Sequence, residues 1–328
     1  MRIALVVVLA LVSPVAADSR CVIEAPPVLA SPKLAPPACH RAPKPIAQQV
    51  TRAVEKRYTL TQQGARVGVA FPCDRLGARI REIVLETGEG HGGTLGLWRA
   101  RRRSDGTYDV TGVSYDGASL AGPGSNPPYL VASGVVELPG LDKARAAVTA
   151  TLREIVPPPK PGTYLGMSGS FSSRDFHVLV RLVGDAGRVV ERRYTGYEGS
   201  DAQNDFIGLE LAIEALAPIT TVALAPGTPT TEQRALFVER FTEAVPHFDE
   251  QYEWWVMERY VELARYLGTP QTLRGLLTRL RVTDPKSRSQ VDARADAVDA
   301  IATITGWDAR AGGGSVEDAA NAYLAQCR

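Results

Sequence analysis

Residues 220–229 read Thr-Thr-Val-Ala-Leu-Ala-Pro-Gly-Thr-Pro, and the hydrophobic rhythm of the chain changes across them. Upstream, apolar residues recur mainly at every second position, the period of a strand. Downstream they recur every three or four, the period of a helix. The stretch itself is a Pro/Thr/Ala linker. The change predicts an α+β fold: an antiparallel sheet of hairpins with packed helices over 46–218, then an all-α region of helical hairpins over 230–328.

Upstream of the linker, the spacing predicts a helix over 45–58 with Pro45 at its first position, where a missing N–H costs nothing. Strands are predicted over 66–71, 79–87, 95–103, 107–115 and 131–138. Ser104-Asp105-Gly106 turns one hairpin. A helix is predicted over 141–155, ended by three prolines at 157–159. Strands over 176–183 and 188–195 flank Gly184-Asp185-Ala186-Gly187, a second hairpin, and a helix follows over 204–216. Each hairpin is followed by similar punctuation, Thr111-Gly112 with Tyr115-Asp116-Gly117 and Thr195-Gly196 with Tyr197-Glu198-Gly199. This suggests an internal duplication, 64–156 against 160–217. Downstream, helices are predicted near 231–245, 250–267, 270–280, 289–305 and 315–326.

At the N-terminus, Met1-Arg2, an apolar run from Ile3 to Val12, and Ser13-Pro14-Val15-Ala16-Ala17 form the pattern of a secretory signal peptide over 1–17. Ten helical residues reach about 15 Å, short of a hydrocarbon core of roughly 30 Å. Cleavage is expected before Asp18, giving a secreted or periplasmic protein with no integral membrane segment. Residues 18–45 form a proline-rich arm carrying Cys21 and Cys39. Seven prolines between Ala25 and Pro45 exclude a helix or a sheet interior there.

The chain has four cysteines, Cys21, Cys39, Cys73 and Cys327. An even count behind an export signal favours two disulfides. Three pairings exist. A helix out and a strand back return Cys73 to Cys39, which leaves Cys21 for Cys327. No Cys-x-x-Cys pair or adjoining His spacing supports a metal, and no cofactor motif occurs, so neither is expected. The charge balance, 37 basic against 36 acidic residues, argues against a nucleic-acid partner.

Chemistry-bearing residues are few. Arg99, Arg101 and Arg103 share one strand face. They are candidates for anion binding, although a solvated sheet face explains them more plainly. Tyr252, Trp254, Trp255, Met257, Tyr260, Val261, Leu263 and Tyr266 cover nearly every side of one helix, as expected of a helix buried centrally. Alternatively Trp254, Trp255 and Tyr260 offer an exposed aromatic patch. The histidines are His40, His91, His177 and His247. His91 lies in Glu89-Gly90-His91-Gly92-Gly93, where Glu86 or Glu89 could orient it as a base. Arg192, Arg193, Glu198 and Asp201 are a second polar group. Gly166-Met167-Ser168-Gly169-Ser170 fails the nucleophile-elbow pattern at its fifth residue.

In the last third, Thr269-Pro270-Gln271-Thr272-Leu273, Leu276-Leu277, Leu280 and Asp284-Pro285 resemble the first helix and turn of a bacterial HEAT-type repeat. Val291-Asp292-Ala293-Arg294, Ala297-Val298, Ala300-Ile301 and Ile304-Thr305-Gly306 resemble its second helix. Residues 263–268 align with 301–306 at a period of 38. The resemblance covers 230–306 and departs from the family in its shortness and in Lys286 to Gln290 between the helices. It implies a protein-contact surface, by analogy of fold. So short an array cannot stand alone and must dock on the sheet or on a partner. Two functions follow. The favoured one is a non-enzymatic binding or scaffold protein for another exported or envelope protein. The alternative is a secreted hydrolase with a carboxylate and histidine site near His91 or His177.

Overall fold

The computed structural model describes residues 38–62, 67–89, 94–115, 128–154, 175–197, 203–248, 254–281, 286, 288–311 and 314–326. The signal segment, Cys21, His91, Glu198, Asp201, Cys327, the side chain of Trp254 and the 166–170 segment lie outside them.

Helix α1 (Lys44–Gln62) leads into β1 (Val67–Ala70), and four strands then run as a meander: β2 (Ile80–Glu89), β3 (Thr94–Arg102), β4 (Tyr108–Tyr115) and β5 (Tyr129–Val136). Helix α2 (Leu141–Thr149), strand β6 (Thr151–Glu154), the hairpin β7 (Asp175–Gly184) and β8 (Val189–Tyr197), and helix α3 (Gln203–Ala215) complete the front part. The main sheet is antiparallel, in the order β5-β4-β3-β2-β7-β8, and β1 pairs with β6 in a separate two-stranded sheet. The second hairpin turns through Gly187, whose φ of +73° suits a residue without a Cβ. After a short helix α4 (Ala217–Thr220), every regular element among the described residues is helical: α5 (Thr231–Ala244), α6 (Trp254–Leu267), α7 (Pro270–Arg279), α8 (Arg288–Thr305) and α9 (Val316–Gln326), with two brief 3-10 turns. The architecture is α+β with a helical C-terminal region.

The main sheet is covered on both faces. Ile83, Leu85, Trp98, Val110, Val180 and Leu182 point into a core shared with α1, α2, α3 and Ile219 of α4. Leu95, Leu97, Val113, Tyr115 and Tyr129 point into a second core shared with the helices after the linker. The linker connects the two by passing the β5 edge. Val131 and Ala225 exchange both backbone hydrogen bonds there, at 2.9 and 3.0 Å, and Val222 lies against Gly134. This cover protects an edge that would otherwise invite strand pairing. Thr230 and Gln233 form a reciprocal capping box that starts α5 immediately afterwards.

Two expectations need correction. The helix predicted over 141–155 stops at Thr149, and Thr151–Glu154 is β6, paired with β1 from Val67↔Glu154 to Ala70↔Thr151. The helical spacing of Leu152 misled, because it reaches the first core from a strand. The Thr149 hydroxyl also bonds back to the Arg145 carbonyl at 2.9 Å, the local competition that weakens threonine in helices. The internal duplication fails on topology. The β3–β4 and β7–β8 hairpins flank β2 on opposite sides, with β3 and β7 parallel to each other. The rotation that superposes them turns the sheet over, yet α2 and α3 lie on the same face. The first block also holds β5 between hairpin and helix, and the second shows no counterpart among the described residues.

Cys39 and Cys73 form a disulfide with a Cα–Cα distance of 5.5 Å. The next residue, Asp74, holds buried Arg145 of α2 through two bonds of 2.5 and 2.6 Å, and Arg145 also donates to the Gly77 carbonyl at 2.8 Å. Burial pushes the Asp74 carboxyl up, but the bonds from Arg145 and the Leu76 amide outweigh it and hold it below its ordinary value.

Trp98 lies flat over Gly112 of the neighbouring strand; a Cβ there would sit 2.4 Å from Trp98 Cε3. Gly112→Ala is therefore expected to cost about 1–3 kcal/mol by overpacking, read as a lower urea midpoint with an unchanged slope.

Candidate functional site

Strand β2 is buried on both faces, so Ile83-Val84-Leu85 is apolar without a break. Glu86 then interrupts the run, on the face toward the second core. In β7, His177 interrupts Phe176 and Val178-Leu179 in the same way, and register sets it opposite Thr195 of β8. Arg240 of α5 and Tyr260 of α6 close over them. Glu86, His177, Arg240 and Tyr260 are all 0% exposed.

The side chains form one network. Glu86 Oε1 accepts from Arg240 Nε and, at 2.9 Å, from the Tyr260 hydroxyl. Glu86 Oε2 lies 2.8 Å from His177 Nε2, and His177 Nδ1 lies 2.8 Å from Thr195 Oγ1. Arg240 Nη1 donates to Glu243, which takes two bonds from Arg181 of β7 at 2.7 and 3.1 Å. Arg181 in turn donates to Glu191 of β8 at 2.6 Å. Charge thus alternates from the sealed centre outward to the rim.

Burial pushes the Glu86 carboxyl up, but the Arg240 charge and the bond from His177 together overcome it and hold the carboxyl well below its ordinary value. Burial also favours the neutral form of Arg240, and the charges of Glu86, Tyr260 and Glu243 outweigh that, keeping the guanidinium firmly ionised. An ionised Glu86 only accepts, so His177 Nε2 carries its proton. Nδ1 and the Thr195 hydroxyl share the second bond, whose direction depends on the ring's tautomer.

Carboxylate, imidazole and hydroxyl stand in the order that activates a nucleophile. Here their positions make a fastener. Glu86 and His177 have no exposed surface, both carboxylate oxygens and both ring nitrogens are engaged, and the bonds join β2, β7 and β8 to α5 and α6. Arg240 Nη2 finds no hydrogen-bond partner among the described residues. Such networks contribute less to net stability than to holding one arrangement.

The expected binding residues separate. Arg99 and Arg101 line a groove of about 500 Å³ with Asp109, Thr111, Ser133 and Glu232. Arg99 is only 5% exposed, so the solvated-face reading fails for it. The stripe is also neutralised. Arg99 pairs with Glu239 at 2.6 Å, Arg101 with Glu82 at 3.0 Å and Arg103 with Asp109 at 3.0 Å. Trp255 and Tyr260 are buried in the second core, so neither belongs to an exposed aromatic patch. Arg192 donates to the Ala150 carbonyl at 2.6 Å, and Arg193 lies 3.4 Å from Glu191. Among the described residues no three His, Cys, Asp or Glu side chains are grouped to hold a metal ion, and no helix is long and apolar enough to cross a membrane.

Sequence reasoning missed Arg240, Glu243 and Thr195 and set Glu86 or Glu89 beside His91, which lies outside the described residues, whereas Glu86 meets His177. A signal was present, since a charged or imidazole residue inside a strand that is apolar on both faces is costly unless partnered. No protein-family model, no curated protein and no solved structure matches this chain.

Proposed function

We propose that the chain is an exported, disulfide-stapled binding or scaffold protein without catalytic activity, whose HEAT-like helical layer meets another exported or envelope protein. The carrying observation is the sealing of His177 and Glu86. The acid–base pair on which the hydrolase alternative depends near His177 is locked between the sheet and α5 and α6, with its polar atoms already in use. The helical layer keeps its outward side: Arg274 and Thr278 on α7 and Val291 on α8 are exposed. The Cys39–Cys73 disulfide is compatible with an oxidising compartment, and the signal-like first 17 residues supply the route. A repeat-like relation also supports the reading, since α6 and α8 stand 38 residues apart in aligned positions and pack against each other.

Photocrosslinkers placed singly at Arg274 and Thr278 of the oxidised full-length protein test this. Saturable crosslinking to one envelope or exported protein, absent when the crosslinker sits at Arg52 on α1, is the expected result. Ester or peptide hydrolysis that disappears in His177→Gln would overturn it.

A further inference from the structure

On α6, Glu258, Glu262 and Arg265 stand at i, i+4 and i+7, one face of the helix. On α8, Asp292, Asp296 and Asp299 have the same spacing. Arg265 Nη1 meets Asp299 Oδ2 at 3.3 Å, and Ile304 Cδ1 lies beside Gly268 at the ends of both helices. These contacts advance together along the chain, so the two helices run parallel. The offset of 34 residues between Arg265 and Asp299 sets Glu262 toward Asp296 and Glu258 toward Asp292. One rung of this ladder is an ion pair and two are carboxylate against carboxylate.

Among the described residues, few of the surrounding cations are directed at it. Arg259, next to Glu258, is the nearest. It donates to Glu262 at 3.0 Å and to the Tyr115 hydroxyl of β4 at 3.1 Å, and its guanidinium lies 4.5 Å from the centre of the Tyr115 ring. Other arginines on the packed elements are directed elsewhere: Arg234 of α5 to the Tyr266 carbonyl, Arg279 of α7 over the Phe248 ring, and Arg294 of α8 to the Leu280 carbonyl. Glu258, Glu262, Asp296 and Asp299 therefore share Arg259 and Arg265 in a half-buried joint.

We propose that the α6–α8 joint is an acid-tightened contact, in which proton uptake by Glu258 and Asp296 removes the repulsion between facing carboxylates and clamps α8 onto α6. Burial is the first cause. It raises Glu258 to about 7, against the opposing charge of Arg259 and with help from Asp296, Asp292 and Glu262. Burial, then Glu262, Asp299 and Asp292, raise Asp296 to about 6, with Arg259 opposing. Both folded values lie above the ordinary 4.5 and 3.8. The stabilisation is therefore complete below the ordinary values and is lost as pH rises through 6 to 7. The buried Glu86 has the opposite sign and acts at lower pH, outside this window.

Hydrogen exchange of the oxidised full-length protein at pH 5.5 and pH 8, corrected for intrinsic exchange rates, tests the proposal. Peptides from α6 and α8 are expected to be protected about tenfold more at pH 5.5, as for a joint that binds its proton about tenfold more tightly when closed, water screening of the half-exposed groups included. Strands β2 and β3 should stay unchanged. The Glu258→Gln/Asp296→Asn variant is expected to show high protection at both pH values. If that variant misfolds, Glu262→Gln alone should reduce the difference. Equal protection of the wild type at the two pH values, or an undiminished difference in the variants, overturns the proposal.

Discussion

Arg240→Met is expected to destabilise the protein by about 3–5 kcal/mol at neutral pH, the cost of leaving a buried charge without its partner. The methionine fills much of the space and retains packing, so the loss reports on charge. Glu86 would keep His177 and Tyr260 as donors but lose the cation whose charge does most to hold its carboxyl down. Burial would then dominate and push that carboxyl up. The sign of the pH dependence follows. In the wild type a depressed carboxyl contributes stability above its ordinary 4.5, and this stability is lost as pH falls. In the variant the raised carboxyl favours acid. The gap between the two proteins should therefore narrow between pH 7 and pH 4. Adding Glu86→Gln should recover part of the loss at pH 7, because the uncompensated charge is gone. Urea midpoints of the three proteins at both pH values decide this; equal midpoints for wild type and Arg240→Met would refute a charged centre.

Removing the Cys39–Cys73 disulfide as Cys39→Ser/Cys73→Ser should have an effect of similar size. The closed loop spans 34 residues, for which the chain-entropy relation gives about 4 kcal/mol. The loss should be uneven. Cys73 precedes Asp74, whose carboxylate holds Arg145 of α2, so freeing Cys73 loosens both α1 and the β1–β6 pair. Faster hydrogen exchange in α1, β1 and β6 before any change in α6 to α9 is the expected pattern. An unchanged urea midpoint would mean that packing alone fixes this corner.

Local chemistry was legible. Ser104-Asp105-Gly106 and Gly184-Asp185-Ala186-Gly187 announced their hairpins, and most helices after the linker lie within a few residues of expectation. The Cys39–Cys73 pair followed from helix and strand rise. The fastener was not legible, because Glu86, His177 and Arg240 are separated by 91 and 154 positions from Glu86 outward. Periodicity gives the face on which a residue lies and says nothing about which distant residue lies opposite. Strand β6 was lost for a related reason: only β1 makes Thr151–Glu154 a strand, and β1 lies far earlier in the chain. The aromatic helix shows the converse. Apolar residues on nearly all its sides sufficed to bury Trp255 and Tyr260, whatever covers them.

Because helices cover both faces of the main sheet, consecutive residues of β2 serve different cores: Leu85 belongs to one and Glu86 faces the other. A single-codon insertion just before Ile83 would exchange their destinations together, turning a carboxylate toward the first core and a leucine against a guanidinium. The central strand can thus drift in side-chain size far more readily than in length, and any tolerated length variation should collect in the segments that join the layers.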